Sequence, residues 1–536
     1  MKLKVAVIVD NLKIKKWQQS ALDFAKEQID IKFFLNCRNT KTKKKYFKNF
    51  LYFILNFFSL KNYLTKKKNI NHNRSNIIHF DSIYDGNWQS IPSEIYEKLK
   101  DEKIDLIIKF GMNLLKVKDN NKSISIISYH HGDPAKYRGR PAGFYETLNN
   151  ETTSGIIIQE LGNNIDGGKI LAFANSRVIK YSYRLTAKNF YLNSEFLLHK
   201  AIDNKTKGNF IQSNKKGKIY HLPSNLLVIK FIFILIKNLI LKIFYGLFIE
   251  KKWKVAILEN KLNLKGKEII RSSDFSNIPI KQEYNFYADA FYSFDEKKIR
   301  LEALSTKTGL GDILEIDTND FFKQKIILSG DHYSYPFSFL YKGQEYIMPE
   351  VASHSAQYIC QTNDIANENK YFIKGLEKKR IVDATLIYKD GYYFLFFGEK
   401  KTSQTLLNLW YSESPFGNFN PHPLNPISIS PQSARMGGKI VHYKNRIIRF
   451  GQNNSGEYGE SLSILEVKNL SLLDYKEELV GSIFIDKYKG PHTLNFNSNF
   501  TKIIIDFYVN NFSLFSGIRR IKAKLKEKSN NAEHST

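Results

Sequence analysis

Cysteine is scarce. Only two occur among 536 residues, Cys37 and Cys360, in stretches that the patterning below assigns to different domains, so a disulfide framework is excluded. Both are expected as reduced, partly buried side chains, in keeping with a reducing compartment. Acidic residues are also in short supply: 52 Asp and Glu face 81 Lys and Arg, a net charge of +29. The excess is mostly Lys in a chain also rich in Asn and Ile, so part of it reflects composition bias. The remainder favours an anionic membrane surface, a phosphorylated sugar or a nucleic acid. The N-terminus lacks the apolar run of a secretory signal, since Asp10 ends the stretch begun at Val5. That stretch reads as a first buried strand. No G-x-G-x-x-G follows it, which excludes a dinucleotide fingerprint.

The length implies two or more domains, because single cores stop growing at roughly 250 to 300 residues. Strand patterns at 5–9, 31–35, 77–80 and 104–111 alternate with helical patterns at 17–28 and 93–102, which predicts βαβ units and a mostly parallel sheet. An aromatic stretch at 50–58, flanked by lysines, reads as an inserted helix. A longer apolar run, 226–248, carries Lys230, Lys237 and Lys242, each costly at mid-bilayer. With Asn238 these fall within an arc of about 140° on a helical wheel. The run is therefore expected as a basic amphipathic helix that packs on a domain or lies on a membrane surface. Beyond Trp253 the texture changes to short strands. Pairs recur at 288–294 with 299–304, 337–341 with 345–349, 384–388 with 392–398, 438–443 with 446–451, and 493–496 with 502–507. Units that begin about every fifty residues are the pattern of propeller blades. The polar tail 523–536 is expected to be disordered.

One segment, 126–171, carries a dense set of motifs. His130 ends a strand; Lys136-Tyr137-Arg138-Gly139 follows in a loop; Ala142-Gly143-Phe144-Tyr145 opens a helix; Ser154-Gly155 lies on a strand; Ile165-Asp166-Gly167-Gly168 forms a turn. In this order and spacing the segment resembles the N10-formyltetrahydrofolate-dependent formyltransferase family, and the resemblance extends more weakly over residues 1–205. It implies that His130 stabilises a developing oxyanion and that Asp166 orients it and helps remove the amine proton. Taken alone, His130 reads as a satisfied histidine and Asp166 as a turn residue. The sequence departs from the family at Ser128, where members place a catalytic Asn two residues before the His. A hydroxyl is a shorter and less fixed donor, so help from a neighbour such as His131 is expected. The folate slot implied by the resemblance would be edged by Phe110, Gly111, Met112, Leu114 and Ile165. Plain core is the competing reading for Phe110, Met112 and Leu114.

The C-terminal half resembles the propeller domain at the amino terminus of glucosamine inositolphosphorylceramide transferases. The residues that carry this are Tyr287-Ala288-Asp289-Ala290-Phe291, Ser334-Tyr335-Pro336-Phe337 with Met348-Pro349-Glu350, Val382-Asp383-Ala384-Thr385, Ala434-Arg435-Met436-Gly437-Gly438, and Gly490-Pro491-His492-Thr493. The pattern is also similar to five-bladed propeller glycosidases, which keep three inner carboxylates. Asp289 and Asp383 match two of these, while Arg435 stands where the general acid would be, and a guanidinium is no acid at neutral pH. A central pocket of Asp289, Glu350, Asp383, Arg435 and His492 is expected to hold a polar glycan.

The expected organisation is thus an α/β formyltransferase-like open parallel sheet (1–205), a linker with the amphipathic helix (206–252), an all-β five-bladed propeller (253–522) and the tail. The expected function is formyl transfer from N10-formyltetrahydrofolate to an amino sugar, nucleotide- or lipid-linked, in surface polysaccharide synthesis. The alternatives are a non-catalytic glycan-binding protein or a propeller glycosidase-like protein. Partners are expected to be an amino-sugar or glycan substrate and a membrane surface met through 226–248. Neither nucleic acid nor metal is expected. The location is expected to be cytoplasmic, peripheral on the inner face of the membrane.

Overall fold

The computed structural model describes residues 2–39, 47–70, 76–117, 124–212, 216–352, 357–362 and 370–521. The tail expected at 523–536 lies outside them. The chain divides into two units, residues 1–241 and 242–536. The boundary falls inside a helix, within the stretch expected as a linker.

Unit 1 is built on a mostly parallel sheet. Its central strand β1 (Leu3–Asp10) pairs in parallel with β2 (Ile29–Cys37) and with β4 (Leu106–Lys109). Strand β3 (Ile77–Phe80) extends the sheet beyond β2, and β5 (Ser125–His131) extends it beyond β4, both in parallel. Two antiparallel strands, β6 (Thr153–Glu160) and β7 (Lys169–Arg177), complete that edge. Val5, Ala6, Val7 and Ile8 are fully buried, as expected of a parallel strand covered on both faces. Ala6, Ile8, Leu35, Ile107 and Ile126 meet Ile95, Tyr96 and Leu99 in one core cluster. The last three lie on helix α3 (Ser93–Asp101), where i, i+4 spacing turns Ile95 and Leu99 to the sheet. Helix α1 (Lys16–Phe24) stops sooner than the 17–28 pattern suggested. Ala25 O takes the amide of Gln28 in a turn, and β2 begins at Ile29.

Helix α2 (Phe50–Ser59) confirms the inserted helix, and α4 (Phe144–Leu148), α5 (Tyr183–Ser194) and α6 (Leu197–Thr206) follow. The 226–248 run forms one helix, α7 (Asn225–Phe248), among the described residues none of which makes a helix long and apolar enough to cross a membrane. It packs on unit 1, one of the two placements expected, and Lys230, Lys237 and Lys242 are exposed. Val228 and Phe231 are buried with Tyr52, Phe144 and Tyr183, and the Phe144 and Phe231 rings stack at 4.2 Å. Asn238 turns inward and donates to Lys180 O at 3.2 Å. Asn225 ties the helix start to α2 by accepting from Leu51 N–H and donating to Phe47 O, both at 3.0 Å. The buried stripe is narrow and includes Asn238, so the apolar arc is left on the outside.

Unit 2 is all β. Its described strands group into five sheets, and each of the five expected strand pairs is present as an antiparallel pair. The strand Ile249–Glu259 pairs with Lys502–Phe512 along its whole length, from Ile249 opposite Phe512 to Glu259 opposite Lys502. This joins the first and last strands of the unit in one sheet. Cys37 and Cys360 are buried and free, one in each unit.

Candidate functional site

In unit 1 the fold brings His130 and Asp166 together. His130 sits at the end of β5, where the parallel strands of an α/β sheet present their ligand-binding edge. Its Nδ1 lies 3.2 Å from Asp166 Oδ1, and its Nε2 lies 3.3 Å from Tyr137 O. Asp166 adopts a left-handed backbone, φ 47°, and its other oxygen accepts the Gly139 N–H at 2.7 Å. Arg138 donates to Ile165 O, so the loop that carries Tyr137 is fastened to the turn that carries Asp166. Lys109, at the end of β4 and in register with Ser128, is a further member that sequence reasoning missed. Burial pulls its ammonium down to about 8, against the opposing pull of Asp10 and Asp166. The signal was a lone cation ending an otherwise apolar buried strand.

The neighbours expected to assist are otherwise engaged. Ser128 Oγ makes one long contact, 3.4 Å to Tyr129 O. His131 points to the opposite face of the strand, as alternation requires, with Nε2 at 2.9 Å from Ser194 Oγ. Burial, with smaller contributions from His130 and Lys15, pushes it down to about 3, so it stays neutral. Of the folate-edge residues, Gly111 and Met112 are buried and Phe110, Leu114 and Ile165 are half-buried. Phe110 stacks on Tyr129 and meets Trp17 edge-on. Met112 belongs to the α3-side core. A Cβ on Gly111 would stand 2.6 Å from Asp10 Oδ1. Leu114 pairs with Trp88 in a small sheet, and Ile165 O is taken by Arg138. A cavity beside the loop, lined by Tyr137, Arg138, Arg140 and Tyr145, encloses about 10 Å³, room for about one water.

Unit 2 gathers a larger polar cluster, to which all five sheets contribute. In three of them the strand slips register over a matching stretch: between Ala288 and Phe291, between Ser334 and Phe337, and between Val382 and Thr385. Each slip holds a residue at positive φ: Asp289 at 51°, Tyr335 at 45° and Asp383 at 50°. Such a bulge re-aims the side chain and leaves its amide without a ladder partner. Here carboxylates take those amides. Asp289 N–H donates to Asp506 Oδ2 at 3.0 Å, and Asp383 N–H to Glu350 Oε2 at 3.2 Å. Tyr335 OH instead joins Thr385 Oγ1 at 2.9 Å and accepts Gly438 N–H at 3.0 Å.

The cluster has two halves. In one, Asp383, 2% exposed, accepts from Arg435 Nε and Nη2 and from Gln452 Nε2 at 3.0 Å. The Arg435 guanidinium lies over the Tyr458 ring at 5.1 Å. In the other half His492 bridges two aspartates, with Nε2 3.4 Å from Asp289 and Nδ1 2.5 Å from Asp506. Thr493 Oγ1 donates to Asp289 at 2.6 Å, and the His492 and Thr493 amides donate to Asp506. Trp253 packs on the imidazole at 4.3 Å. Asp289, His492 and Asp506 place three ligand-type atoms within 4.8 Å of one another. The 2.5 Å approach is shorter than two ligands of one ion would stand at about 2.1 Å each, and the imidazole directs its two nitrogens to different carboxylates. The trio is therefore an ion-pair bridge.

Burial dominates the electrostatics. It pushes Asp289 up to about 6 and Glu350 up to about 8, the latter aided by Asp383. Glu302, close to Asp289 and Glu350, is raised well above the usual carboxylate range by burial. Burial works against the His492 imidazolium, but Asp506 and Asp289 outweigh it and raise the ring above its ordinary value. The five residues expected in the pocket are thus brought together, and Glu302, Asp506, Gln452, Tyr458 and Thr493 join them. Sequence reasoning missed Asp506 and Glu302, because nothing local marks an acid whose partner lies on a distant strand.

Residues 273–501 match the model of the family described as Glucosamine inositolphosphorylceramide transferase 1, N-terminal. The protein named Glucosamine inositolphosphorylceramide transferase 1 from Arabidopsis thaliana is 31% identical over 252 residues, 42% of this chain and 31% of its own length. Its namesake from Oryza sativa subsp. japonica is 32% identical over 172 residues, 31% of this chain and 23% of its own. The chain therefore spans less than a third of the curated relatives it matches. Among solved structures, phosphoribosylglycinamide formyltransferase from Anaplasma phagocytophilum aligns with 12% identity and a TM-score of 0.28, covering 41% of this chain and 100% of that one. A sugar N-formyltransferase from a Shewanella species aligns with 13% identity and a TM-score of 0.27, covering 41% and 76%. Likeness at these TM-scores carries no argument about chemistry. The curated relatives are named as glucosamine inositolphosphorylceramide transferases, and this overturns formyl transfer as the function of the chain.

Proposed function

We propose that the chain is a transferase acting in glycolipid or related glycoconjugate synthesis, and that unit 2 is the part that holds the polar headgroup. On this reading its five sheets are blades around a common axis, and the acid cluster lies at their inner ends. The observation that carries the proposal is that cluster: Asp289, Glu302, Glu350, Asp383, Arg435 and His492 all fall within the stretch matched by the family. Such a set suits a phosphorylated inositol or an amino sugar. Carboxylates accept from hydroxyls or an ammonium, while Arg435 and His492 offer charged donors to phosphate oxygens. Glu350, raised to about 8, keeps its proton at neutral pH and adds a neutral donor. In unit 1 the His130 and Asp166 pair, backed by Lys109, is read as the proton-handling group of the same transferase.

Calorimetric titration of the full chain with inositol phosphate, glucosamine and glucose is the test. The first two are expected to bind and glucose to bind more weakly, and Arg435→Lys should weaken inositol phosphate most, because bidentate geometry is lost. Equal affinity for all three, or binding unchanged by Arg435→Lys and by Glu350→Gln, would refute the headgroup reading.

A further inference from the structure

Helix α7 presents its apolar side to solvent. With Val228 and Phe231 buried against unit 1, the residues opposite them are Ile229, Ile232, Phe233, Ile236 and Ile240, and Phe233 and Ile240 are 68% and 60% exposed. Over residues 229–240 this face covers an arc of about 100° and a length of about 17 Å, taking 100° and 1.5 Å per residue. Lys230 and Lys237 lie along one border of the arc, and with Leu227, Phe233 and Ile234 they line a groove of about 820 Å³. Helix α2, fastened to the start of α7, does the same with Phe50, Phe57 and Phe58, all more than half exposed. A folded soluble surface rarely leaves such a stripe uncovered.

We propose that this face of unit 1 docks on an anionic phospholipid bilayer, with the apolar arc of α7 and the exposed phenylalanines of α2 entering the acyl boundary while Lys230 and Lys237 meet lipid phosphates. Charge decides the occupant. The chain carries a net +29, and lysines bordering an apolar arc match an anionic headgroup layer above hydrocarbon. A second copy of a chain so charged would bring like charges together at the same border. The surface stands independently of the headgroup reading of unit 2, because its residues belong to unit 1 and the acid cluster to unit 2.

The test is co-sedimentation of the full chain with phosphatidylcholine vesicles, with and without phosphatidylserine. Binding is expected to need the anionic lipid and to fall with salt. Lys230→Gln with Lys237→Gln should weaken it about 25-fold, about fivefold for each lysine near the surface. Phe233→Asp should abolish it. Both sites are exposed, so the fold should survive, and circular dichroism checks this. In a second measurement Ile240→Trp should be quenched by brominated acyl chains, which a lysine effect on unit 2 could not produce. Equal binding to neutral vesicles, lack of quenching, or resistance to carbonate extraction would overturn the proposal. So would a dimer in the ultracentrifuge that Phe233→Asp dissociates, since a second copy would then be the occupant.

Discussion

Replacing Arg435 by Met should destabilise unit 2 by about 3 kcal/mol. Removing one partner of a buried ion pair costs about 3–5 kcal/mol, because the other charge is left uncompensated. The lower end applies here. Arg435 is 15% exposed, and Asp383 keeps the Gln452 donor at 3.0 Å after the guanidinium has gone. The surroundings make the loss harder to absorb. Glu350 and Asp289 already share the site, and both are raised by burial, so no unpaired cation stands ready to replace Arg435. Asp383 must then take up a proton on folding. A buried carboxylate left uncompensated costs stability while it is ionised, and the cost falls as pH falls. The deficit of the variant should therefore shrink between pH 7 and 5.

The assay is urea unfolding of the full chain in a Trp17→Phe, Trp88→Phe background, so that Trp253 and Trp410 report on unit 2. Adding Asp383→Asn to Arg435→Met should restore part of the loss, with a coupling energy above about 1 kcal/mol. A loss below about 1 kcal/mol, or a deficit that does not change with pH, would mean that Arg435 and Asp383 do not form the buried pair that unit 2 is built around.

The wild-type unit 2 should itself lose stability as pH rises from about 6 to 8. Asp289 and Glu350, raised to about 6 and about 8, bind more protons folded than unfolded, and His492, raised above its ordinary value, loses its proton in the same direction; thermal scans across that range measure it. Unit 1 should respond less below neutrality, because His131, lowered to about 3, and Glu146, raised to about 7 by burial, have opposite slopes; His131→Gln should expose the Glu146 slope in the same scans. Gly111→Ala should cost unit 1 about 1–3 kcal/mol, since its Cβ would meet Val9 C at 2.7 Å as well as Asp10, read as a shift of the urea midpoint. Tyr335→Phe should cost unit 2 about 1–3 kcal/mol by leaving the buried Gly438 N–H unpaired, read in the Trp253 and Trp410 background.

Local patterning made much of the fold legible. Apolar runs ending in a polar residue marked β1 and β4, and the five strand pairs of unit 2 stood out because each has a short turn between alternating segments. The site was legible where a motif had neighbours: His130 with Asp166, and Asp289 with Asp383. It was illegible where the meaning of a residue depends on a distant strand. Asp506 lies 217 positions from Asp289, and nothing local distinguishes an acid that caps a bulged amide from one that faces solvent. Helix α7 was legible as a helix that packs on its domain, but not in which residues it buries. A helical wheel ranks faces by polarity, but which face is buried depends on what the neighbouring surface offers. Here it offers a carbonyl at Lys180 to Asn238 and an aromatic pocket to Phe231. The formyl reading failed because motif order along β5 and the Asp166 turn speaks for a backbone arrangement. Chemistry needs more than such an arrangement, and the curated relatives are named for a different transfer.

The acid cluster costs more than stability requires. Asp289, Tyr335 and Asp383 each hold a backbone conformation that costs about 1–3 kcal/mol, and well-packed apolar residues in place of a buried ion pair are often neutral or stabilising. A fold that needed only five sheets held together could fill this place with isoleucine and leucine, as it does elsewhere with Ile299, Leu301 and Ile504. Three strands instead spend backbone strain to re-aim a polar side chain at one place, and carboxylates from other strands satisfy two of the amides so freed. Strain that recurs at equivalent positions and converges on one set of titratable groups points to a ligand that repays it. If that ligand is a phosphorylated polyol, saturation should raise the unit 2 unfolding temperature, and more so near pH 8, where the unliganded cluster is weakest. Stabilisation that was equal at pH 6 and pH 8 would separate the binding site from the strained acids and sink that link.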